Sequence, residues 1–149
     1  MNVSLYKSFA EKENKTISFE NYVELIRLGV NEDAVIAGRV AKQKGDKDLY
    51  KRIKSNSQLI TSRGTIPSGE RKTNTNLIPC GLIDVDVDEE LTIDQKNQVY
   101  NDPYVICAHD SFGGDGSVIW FKINPDKIDD AYACISKYLP YIRHQSLGF

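Results

Sequence analysis

The stretch GLIDVDVDEE, residues 81–90, carries the strongest structural signal in the chain. In it Asp84, Asp86 and Asp88 alternate with single apolar residues, and such alternation predicts a β-strand. Aspartate is depleted in strands, and like charges on one face of a sheet repel each other. The pattern is unfavourable by itself, which raises the question of what the three carboxylates do.

Residues two apart in a strand share a face, so we expect the three aspartates on one face and Ile83, Val85 and Val87 in a core on the other. Carboxylates two residues apart are separated by roughly 7 Å at their Cα atoms, and neighbouring side chains can converge on one cation. Oxygen ligands suit Mg²⁺, Mn²⁺ or Ca²⁺, which would cancel the repulsion. The alternative is a face that is simply solvated.

Length and composition predict a single domain over residues 1–149. The chain has 40% hydrophobic and 27% charged residues, an ordinary globular composition. No apolar run reaches the roughly 18 residues of a membrane span, and the first residues lack the apolar core of a signal peptide. We therefore expect a cytoplasmic protein with no membrane partner. The three cysteines are widely spaced, which favours free thiols over a disulfide or zinc site.

The net charge of -2 conceals two oppositely charged segments. Residues 39–72 contain ten basic and three acidic residues, a net charge of +7. Residues 84–102 contain seven acidic residues, with Lys96 as the one basic residue. A basic segment can bind polyanions and an acidic cluster can hold a cation. Solvated helix faces that happen to be segregated would give the same pattern.

The remaining sequence predicts a mixed α+β chain, with helices first and a sheet built mainly from the second half. Cap residues and apolar spacing predict helices that follow Ser18, Asn31, Asp46 and Thr92, and a last helix that begins near Pro125. Alternating apolar residues predict strands over residues 3–9, 57–64, 77–88, 104–111 and 117–123. Polar composition predicts loops over residues 10–16 and 65–76.

A second candidate site is the stretch HDSFGGDGSVIWF, which begins at His109. Gly113, Gly114 and Gly116 let the backbone approach a ligand closely, and successive N–H groups in such a turn can cradle a phosphate. Ser111 adds a hydroxyl donor, and His109 is a candidate phosphate contact or base. The alternative is an ordinary hairpin turn between two strands.

Both candidate sites belong to a run of stretches in a recognisable order: YKRIKSNSQLITSRGTI, NLIPCGLIDVDVDEE, DPYVICAHDSFGGDG and SVIWFKI. Over about residues 50–124 the chain resembles the amino-terminal, primase-like domain of VirE-type mobile-element and phage proteins, in the archaeo-eukaryotic primase superfamily. The resemblance implies a primase-like α+β fold, with an RRM-like sheet core, helices packed on one face and an N-terminal helical segment. It also implies a role in DNA replication of a phage or mobile element, in the cytoplasm of a bacterial or phage-infected cell.

The resemblance assigns roles to the candidate residues. The family's Asp-x-Asp motif falls on Asp86 and Asp88, which become the catalytic metal ligands, with Asp84 as an auxiliary ligand. The metal would be Mg²⁺ or Mn²⁺, which neutralises developing charge and aligns the reacting oxygens in phosphoryl transfer. Ser111 and the glycine turn match the family's nucleotide-binding hairpin, while Lys54 and Arg63 become phosphate or nucleic-acid contacts. The implied partners are a single-stranded DNA template, nucleotides, and a helicase domain or other replication proteins.

Three features depart from the family pattern. Active members usually carry a histidine after the glycine turn, and Val118 or a neighbour takes its place in this chain. Asp115 stands where a small basic residue is common, and its carboxylate would repel phosphate. A third metal carboxylate from a later strand has no obvious counterpart. The chain is therefore either a piece of a longer primase–helicase protein or a short protein with an incomplete site.

These departures leave open a hypothesis from another class. A catalytically inactive module on the same fold would recognise nucleic acid or a partner protein, whereas in the active enzyme the basic segment 39–72 would follow the nucleic-acid backbone. A third hypothesis is an accessory phage protein whose surface charge has no specific role. Metal-dependent primer synthesis would distinguish the enzyme from both.

Overall fold

The computed structural model describes residues 1–67 and 77–139 of the chain. Over those residues it contains five helices and three small antiparallel sheets, so the predicted α+β class is confirmed. The chain divides into two compact units, residues 1–80 and 81–149. A single domain over residues 1–149 stays a prediction.

The described elements have the following bounds. The strands are β1 (Asn2–Tyr6), β2 (Lys15–Ser18), β3 (Leu59–Ile60), β4 (Gly64–Thr65), β5 (Ile78–Pro79), β6 (Leu82–Val87), β7 (Val105–Asp110) and β8 (Ser117–Lys122). The helices are α1 (Phe19–Arg27), α2 (Glu32–Gln43), α3 (Lys47–Ser55), α4 (Ile93–Asn101) and α5 (Ile128–Tyr138). A short 3₁₀ turn, Pro125–Lys127, precedes α5. Most of the predicted loop 65–76 lies outside the described residues.

The N-terminal unit is built around β1. This strand pairs antiparallel with β2 on one side and with β3 on the other, while β4 and β5 form a separate pair. At its centre the fully buried Ser4 accepts a hydrogen bond from the Ile66 N–H at 2.9 Å through its hydroxyl. Its carbonyl accepts another from the Thr61 N–H at 2.9 Å. Polar bonds therefore tie β1 to the segment around β4.

Helix starts follow the local signals in the sequence at three of the four predicted caps. The side chains of Ser18, Asp46 and Thr92 accept hydrogen bonds from N–H groups in the first turns of α1, α3 and α4. At Thr92 the bond is reciprocated by Gln95, which completes a capping box. Side-chain oxygens satisfy N–H groups that the helix itself leaves without partners, which is why these positions set the boundaries.

Two local predictions in this unit are wrong. Asn31 does not cap α2, because its side-chain amide pairs instead with both backbone groups of Gln58, at 3.3 Å each. The predicted loop over residues 10–16 overlaps β2, which begins at Lys15. That strand forms because backbone pairing with β1 satisfies its amide groups whatever the polarity of its side chains.

The C-terminal unit contains one three-stranded antiparallel sheet in the order β6-β8-β7. Since β8 runs antiparallel to both neighbours, β6 and β7 run in the same direction with β8 inserted between them. The chain order is β6-α4-β7-β8-α5, and a β-α-β unit split by a third strand is a recurring motif. Its topology places the ends of β6 and of the β7–β8 hairpin at one edge of the sheet.

The main hydrophobic cluster of this unit lies on one face of the sheet, while Leu82 and Trp120 are buried on the other. Ile83, Val85 and Val87 are buried in this cluster, as predicted, together with Ile119 and Phe121 of β8. Helix α4 contributes Val99, helix α5 contributes Ile135, and Leu139 follows directly after α5, so both helices cover the same face. The aspartates of β6 consequently lie on the opposite face.

Candidate functional site

The aspartate face is the side of the C-terminal sheet that bears Asp84 and Asp86. Its exposure increases along β6: Leu82 is buried, Asp84 is half-buried and Asp86 is exposed. Strand β6 ends at Val87, whose register partner is Ser117, so the exposed Asp88 follows the strand instead of belonging to it. Only two of the three aspartates are therefore fixed on this face by strand pairing.

Strand register aligns other side chains with these aspartates. Asp86 pairs with Val118 of β8, and Val118 pairs in turn with His109 of β7. Asp84 likewise pairs with Trp120, which pairs with Cys107. Each row spans two strand spacings, roughly 10 Å between the outer Cα atoms. Asp86 and His109 thus lie in one row on the aspartate face.

The ring of His109 is oriented by a contact with the backbone of the next residue. Its Nδ1 lies 2.8 Å from the carbonyl oxygen of Asp110. A carbonyl oxygen can only accept, so Nδ1–H is the donor in this contact and Nε2 is the ring nitrogen left for another partner. That Nε2 atom is buried and has no hydrogen-bond partner among the described residues. Fixing one ring nitrogen on a carbonyl is the usual way to present the other to a ligand or proton.

The glycine turn, residues 111–116, is closed by its own hydrogen bonds. The Ser111 N–H donates to the Gly116 carbonyl at 2.8 Å, and the Gly114 N–H donates to the Ser111 carbonyl at 3.0 Å. Gly114 has a φ of +84°, which side-chain-bearing residues rarely adopt. Because these two N–H groups are engaged inside the turn, they are not available as donors to a phosphate.

Gly116 holds the turn against the end of the aspartate strand. A Cβ atom at this position would collide with the carbonyl oxygen of Val87. Only glycine therefore permits the approach of the two backbones. Ser117, the next residue, has both Val87 and Asp110 as register partners. The glycine turn and the Asp86–Asp88 end of β6 consequently share one edge of the sheet.

Two predicted site residues belong to the other unit. Lys54 is exposed in the last turn of α3, and Arg63 is half-buried in the turn before β4. The backbone carbonyl of Arg63 accepts a hydrogen bond from the Cys80 N–H at 3.0 Å, which joins both ends of the β4–β5 pair. Their role as phosphate contacts stays a prediction.

Helix α3 carries a basic face that extends beyond Lys54. Lys47, Lys51 and Lys54 follow one another at helical spacing, and all three are exposed. None of them forms an ion pair with a residue in the described parts of the chain. Nearby, the Lys42 ammonium lies 5.8 Å from the centre of the Tyr50 ring. The basic face is thus available to an anionic partner.

The donor types at the end of β6, carboxylates with one imidazole nitrogen across the sheet, suit divalent cations such as Mg²⁺ and Mn²⁺. Among residues 1–67 and 77–139, however, no three His, Cys, Asp or Glu side chains stand close enough together to hold a metal ion. The predicted ligands Asp84, Asp86 and Asp88 share an edge of the sheet but are not assembled into a coordination shell.

Comparison with known proteins identifies no relative of this chain, so its function is inferred from its own residues. The sequence matches no protein-family model, and neither a curated protein nor a solved structure matches it. In the described part of the chain, no helix has the length and apolar character needed to cross a membrane.

Sequence reasoning missed the alignment of Asp86 with His109. Each residue was singled out separately, but their placement in one row depends on the register of two strands against β8. A partial signal exists in β8, where Val118, Trp120 and Lys122 alternate with Ile119 and Phe121. That alternation assigns faces, whereas the register also depends on the bulge that shifts pairing between Val105 and Cys107.

Proposed function

We propose that this chain is a primase-like domain of a phage or mobile element and carries out metal-dependent nucleotidyl transfer in DNA replication. The observation that carries the proposal is the shared edge of the C-terminal sheet, where the end of β6 with Asp86 and Asp88 meets the glycine turn. Acidic residues beside a nucleotide-binding hairpin are the arrangement that the family resemblance implies.

The topology of the C-terminal unit supports the finer fold within this proposal. Its order β6-α4-β7-β8-α5 corresponds to the first five elements of a β-α-β-β-α-β sheet domain, with the helices on one face. An order of this kind supports the RRM-like core that the family resemblance implies. The aspartates stand on the face of the sheet opposite these two helices.

Within the proposal the residues have distinct tasks. Asp86 and Asp88 hold Mg²⁺ or Mn²⁺, with Asp84 as an auxiliary carboxylate. The cation supplies charge neutralisation on the transferred phosphoryl group and aligns the reacting oxygens. The Ser111 hydroxyl is the proposed donor to phosphate at the glycine turn, where the N–H groups of Ser111 and Gly114 bond internally. Asp115, exposed in the same turn, selects against a phosphate lying directly over it.

His109 lies close to the position at which this chain lacks the family's histidine. The family places a histidine after the glycine turn, at the position of Val118 or a neighbour in this chain, and the register partner of Val118 is His109. An imidazole therefore stands one strand away from the expected position, on the same face as Asp86. We assign to His109 the substrate contact that Val118 does not provide.

The basic face of α3 is the proposed contact for the single-stranded DNA template. Lys47, Lys51 and Lys54 would bind backbone phosphates, with affinity that falls steeply as salt rises. Nucleotides and a helicase domain or other replication proteins complete the proposed partners. The proposed setting is the cytoplasm of a bacterial or phage-infected cell.

The test compares the wild type with Asp86→Asn/Asp88→Asn, which preserves side-chain size. We expect Mn²⁺ to raise the melting temperature of the wild type through preferential binding to the folded chain, and not that of the double variant. Primer synthesis on single-stranded DNA should fall by at least about 100-fold in the variant, because the metal stabilises the transition state. Asp126→Asn/Asp130→Asn, two exposed acids elsewhere in the same unit, is the matched control. Synthesis that survives in the Asp86/Asp88 variant would contradict the proposal.

A second candidate, a catalytically inactive nucleic-acid-binding module, is favoured by one observation. The exposed lysines of α3 need no metal or nucleotide site to bind DNA. Lys47→Gln/Lys51→Gln/Lys54→Gln should then weaken a gel shift with single-stranded DNA and reduce the salt dependence of the binding that remains. A shift that depends on these lysines, without primer synthesis by the wild type, would replace the enzyme with the binding module.

A further inference from the structure

Helix α2 carries an apolar stripe on its solvent side. Ile36 is 55% exposed and Val40 is 42% exposed, and the two lie one turn apart on the same face. Ala37, beside them, is exposed as well. Gly38 and Ala41, which lie outside this stripe, are buried. Large aliphatic side chains thus face water although the helix already has a buried side.

The stripe has a negatively charged residue at one end and a positively charged residue at the other. Asp33 lies about one turn before Ile36, Lys44 lies about one turn after Val40, and both are exposed. At 3.6 residues per turn these four residues stay on one face, with the two charges about 16 Å apart along the axis. Neither charge forms an ion pair with a residue in the described ranges 1–67 and 77–139.

We propose that this stripe, Asp33-Ile36-Ala37-Val40-Lys44, is a homodimer interface in which α2 packs antiparallel against α2 of a second copy of the chain. The charges of Asp33 and Lys44 complement those of a second copy only when the two helices run antiparallel. A two-fold axis at the middle of the stripe brings Asp33 of each copy to Lys44 of the other. The same axis sets Ile36 of each copy against Val40 of the other. A parallel arrangement would instead face like charges at both ends.

The parts of the stripe have different tasks. Burial of Ile36 and Val40 drives association, because apolar area removed from water is the main favourable term. Ala37 is small and lets the helix axes approach to the 8–10 Å typical of packed helices. The exposed ion pairs add little affinity but decide orientation. One helix per copy is less than the roughly 800 Å² that a standard interface buries on each side, so we expect a weak dimer, with a Kd of about 10–100 µM.

The proposal is independent of the proposed catalytic function and is tested on the full chain by sedimentation at about 5–500 µM, which brackets the expected Kd. We expect concentration-dependent dimers for the wild type. Ile36→Glu should weaken dimerisation by at least about tenfold without lowering the melting temperature, because the residue is exposed and Glu is a good helix former. Ile93→Glu, the same change at an exposed isoleucine of α4, is the matched control and should dimerise as the wild type does.

Charge exchange tests the orientation. Asp33→Lys and Lys44→Asp should each weaken self-association, since each places like charges together at both ends of the stripe. An equimolar mixture of the two variants, or a chain carrying both changes, should dimerise again. A double variant that regains dimers cannot be explained by damage to the helix, because it carries both changes at once.

Three outcomes would overturn the proposal. The first is a wild type that stays monomeric throughout the concentration range. The second is equal weakening by Ile36→Glu and Ile93→Glu. The third is dimerisation of both single charge variants at wild-type strength, which would exclude the antiparallel contact.

Discussion

The two units of this chain differ in what they bury. Among the described residues, the N-terminal unit has four buried hydrophobic residues and the C-terminal unit has eleven. Large exposed hydrophobic residues show the reverse distribution, with eight in the N-terminal unit and four in the C-terminal unit. The C-terminal unit therefore has a conventional core, whereas the N-terminal unit relies more on polar contacts and leaves apolar surface open.

This difference bears on where each kind of chemistry resides. The C-terminal unit has a well-filled core on one face of its sheet, so the other face can carry carboxylates that strands normally disfavour. The N-terminal unit has open helical surfaces, which suit contacts with other molecules. The apolar residues are distributed unevenly between the two units. The candidate catalytic residues consequently lie on a sheet with a filled core, and the candidate binding surfaces lie on helices with exposed apolar side chains.

The largest expected effect concerns the C-terminal core. Phe121→Ala removes a side chain that is 2% exposed, so we expect a loss of about 3–5 kcal/mol in unfolding free energy from lost burial and an unfilled cavity. Urea unfolding followed by the fluorescence of Trp120, the single tryptophan, measures it. Tyr100→Ala, at an exposed aromatic of α4, should change stability by no more than about 0.5 kcal/mol. A loss below about 1 kcal/mol for Phe121→Ala would contradict the view that the C-terminal unit depends on its hydrophobic core.

An intermediate effect is expected at the polar centre of the N-terminal unit. Ser4→Ala deletes the acceptor of the Ile66 N–H at a fully buried position, and an unsatisfied buried donor costs about 1–3 kcal/mol. Amide hydrogen exchange at Ile66 and chemical unfolding measure the loss. Ser55→Ala, the same change at an exposed serine of α3, serves as the control. Equal stability of the two variants would show that polar bonds do not hold this unit.

The smallest effect concerns helix capping, which both units use. Thr92→Ala removes the hydroxyl that accepts from the Gln95 N–H and breaks the capping box of α4, for an expected loss of about 1 kcal/mol. Thr92→Ser retains the hydroxyl and should stay close to the wild type in the same unfolding experiment. If both variants lose equally, the methyl group and not the cap supports the helix.

Local signals predicted most elements of this fold. Ser18, Asp46 and Thr92 mark helix starts because the capping bond joins residues only three apart in sequence. The alternation in β6 correctly assigned Ile83 and its apolar neighbours to the core, since strand faces follow from residue parity alone. Predictions of this kind need no knowledge of distant residues.

The wrong predictions involve partners far away in sequence. Asn31 has the chemistry of a cap, but its amide is engaged by Gln58, 27 residues later. The polar β2 becomes a strand through pairing with β1. The row from Asp86 to His109 depends on the register of three strands, including one bulge. Sequence patterns therefore identified the candidate residues individually, while their alignment required the tertiary structure.

The insertion of β8 between β6 and β7 has a consequence for folding order. The nearest partners of β7 and β8, Asp110 and Ser117, are 7 residues apart, and such hairpins form in about 1–10 µs. The nearest partners of β6 and β8, Val87 and Ser117, are 30 residues apart, so closing that loop costs more chain entropy. We therefore expect strand β6 to join a hairpin that is already formed. The segment that bears the candidate metal ligands would then be the last strand of this sheet to be placed, and the repulsion among its carboxylates would act on the slow step of folding.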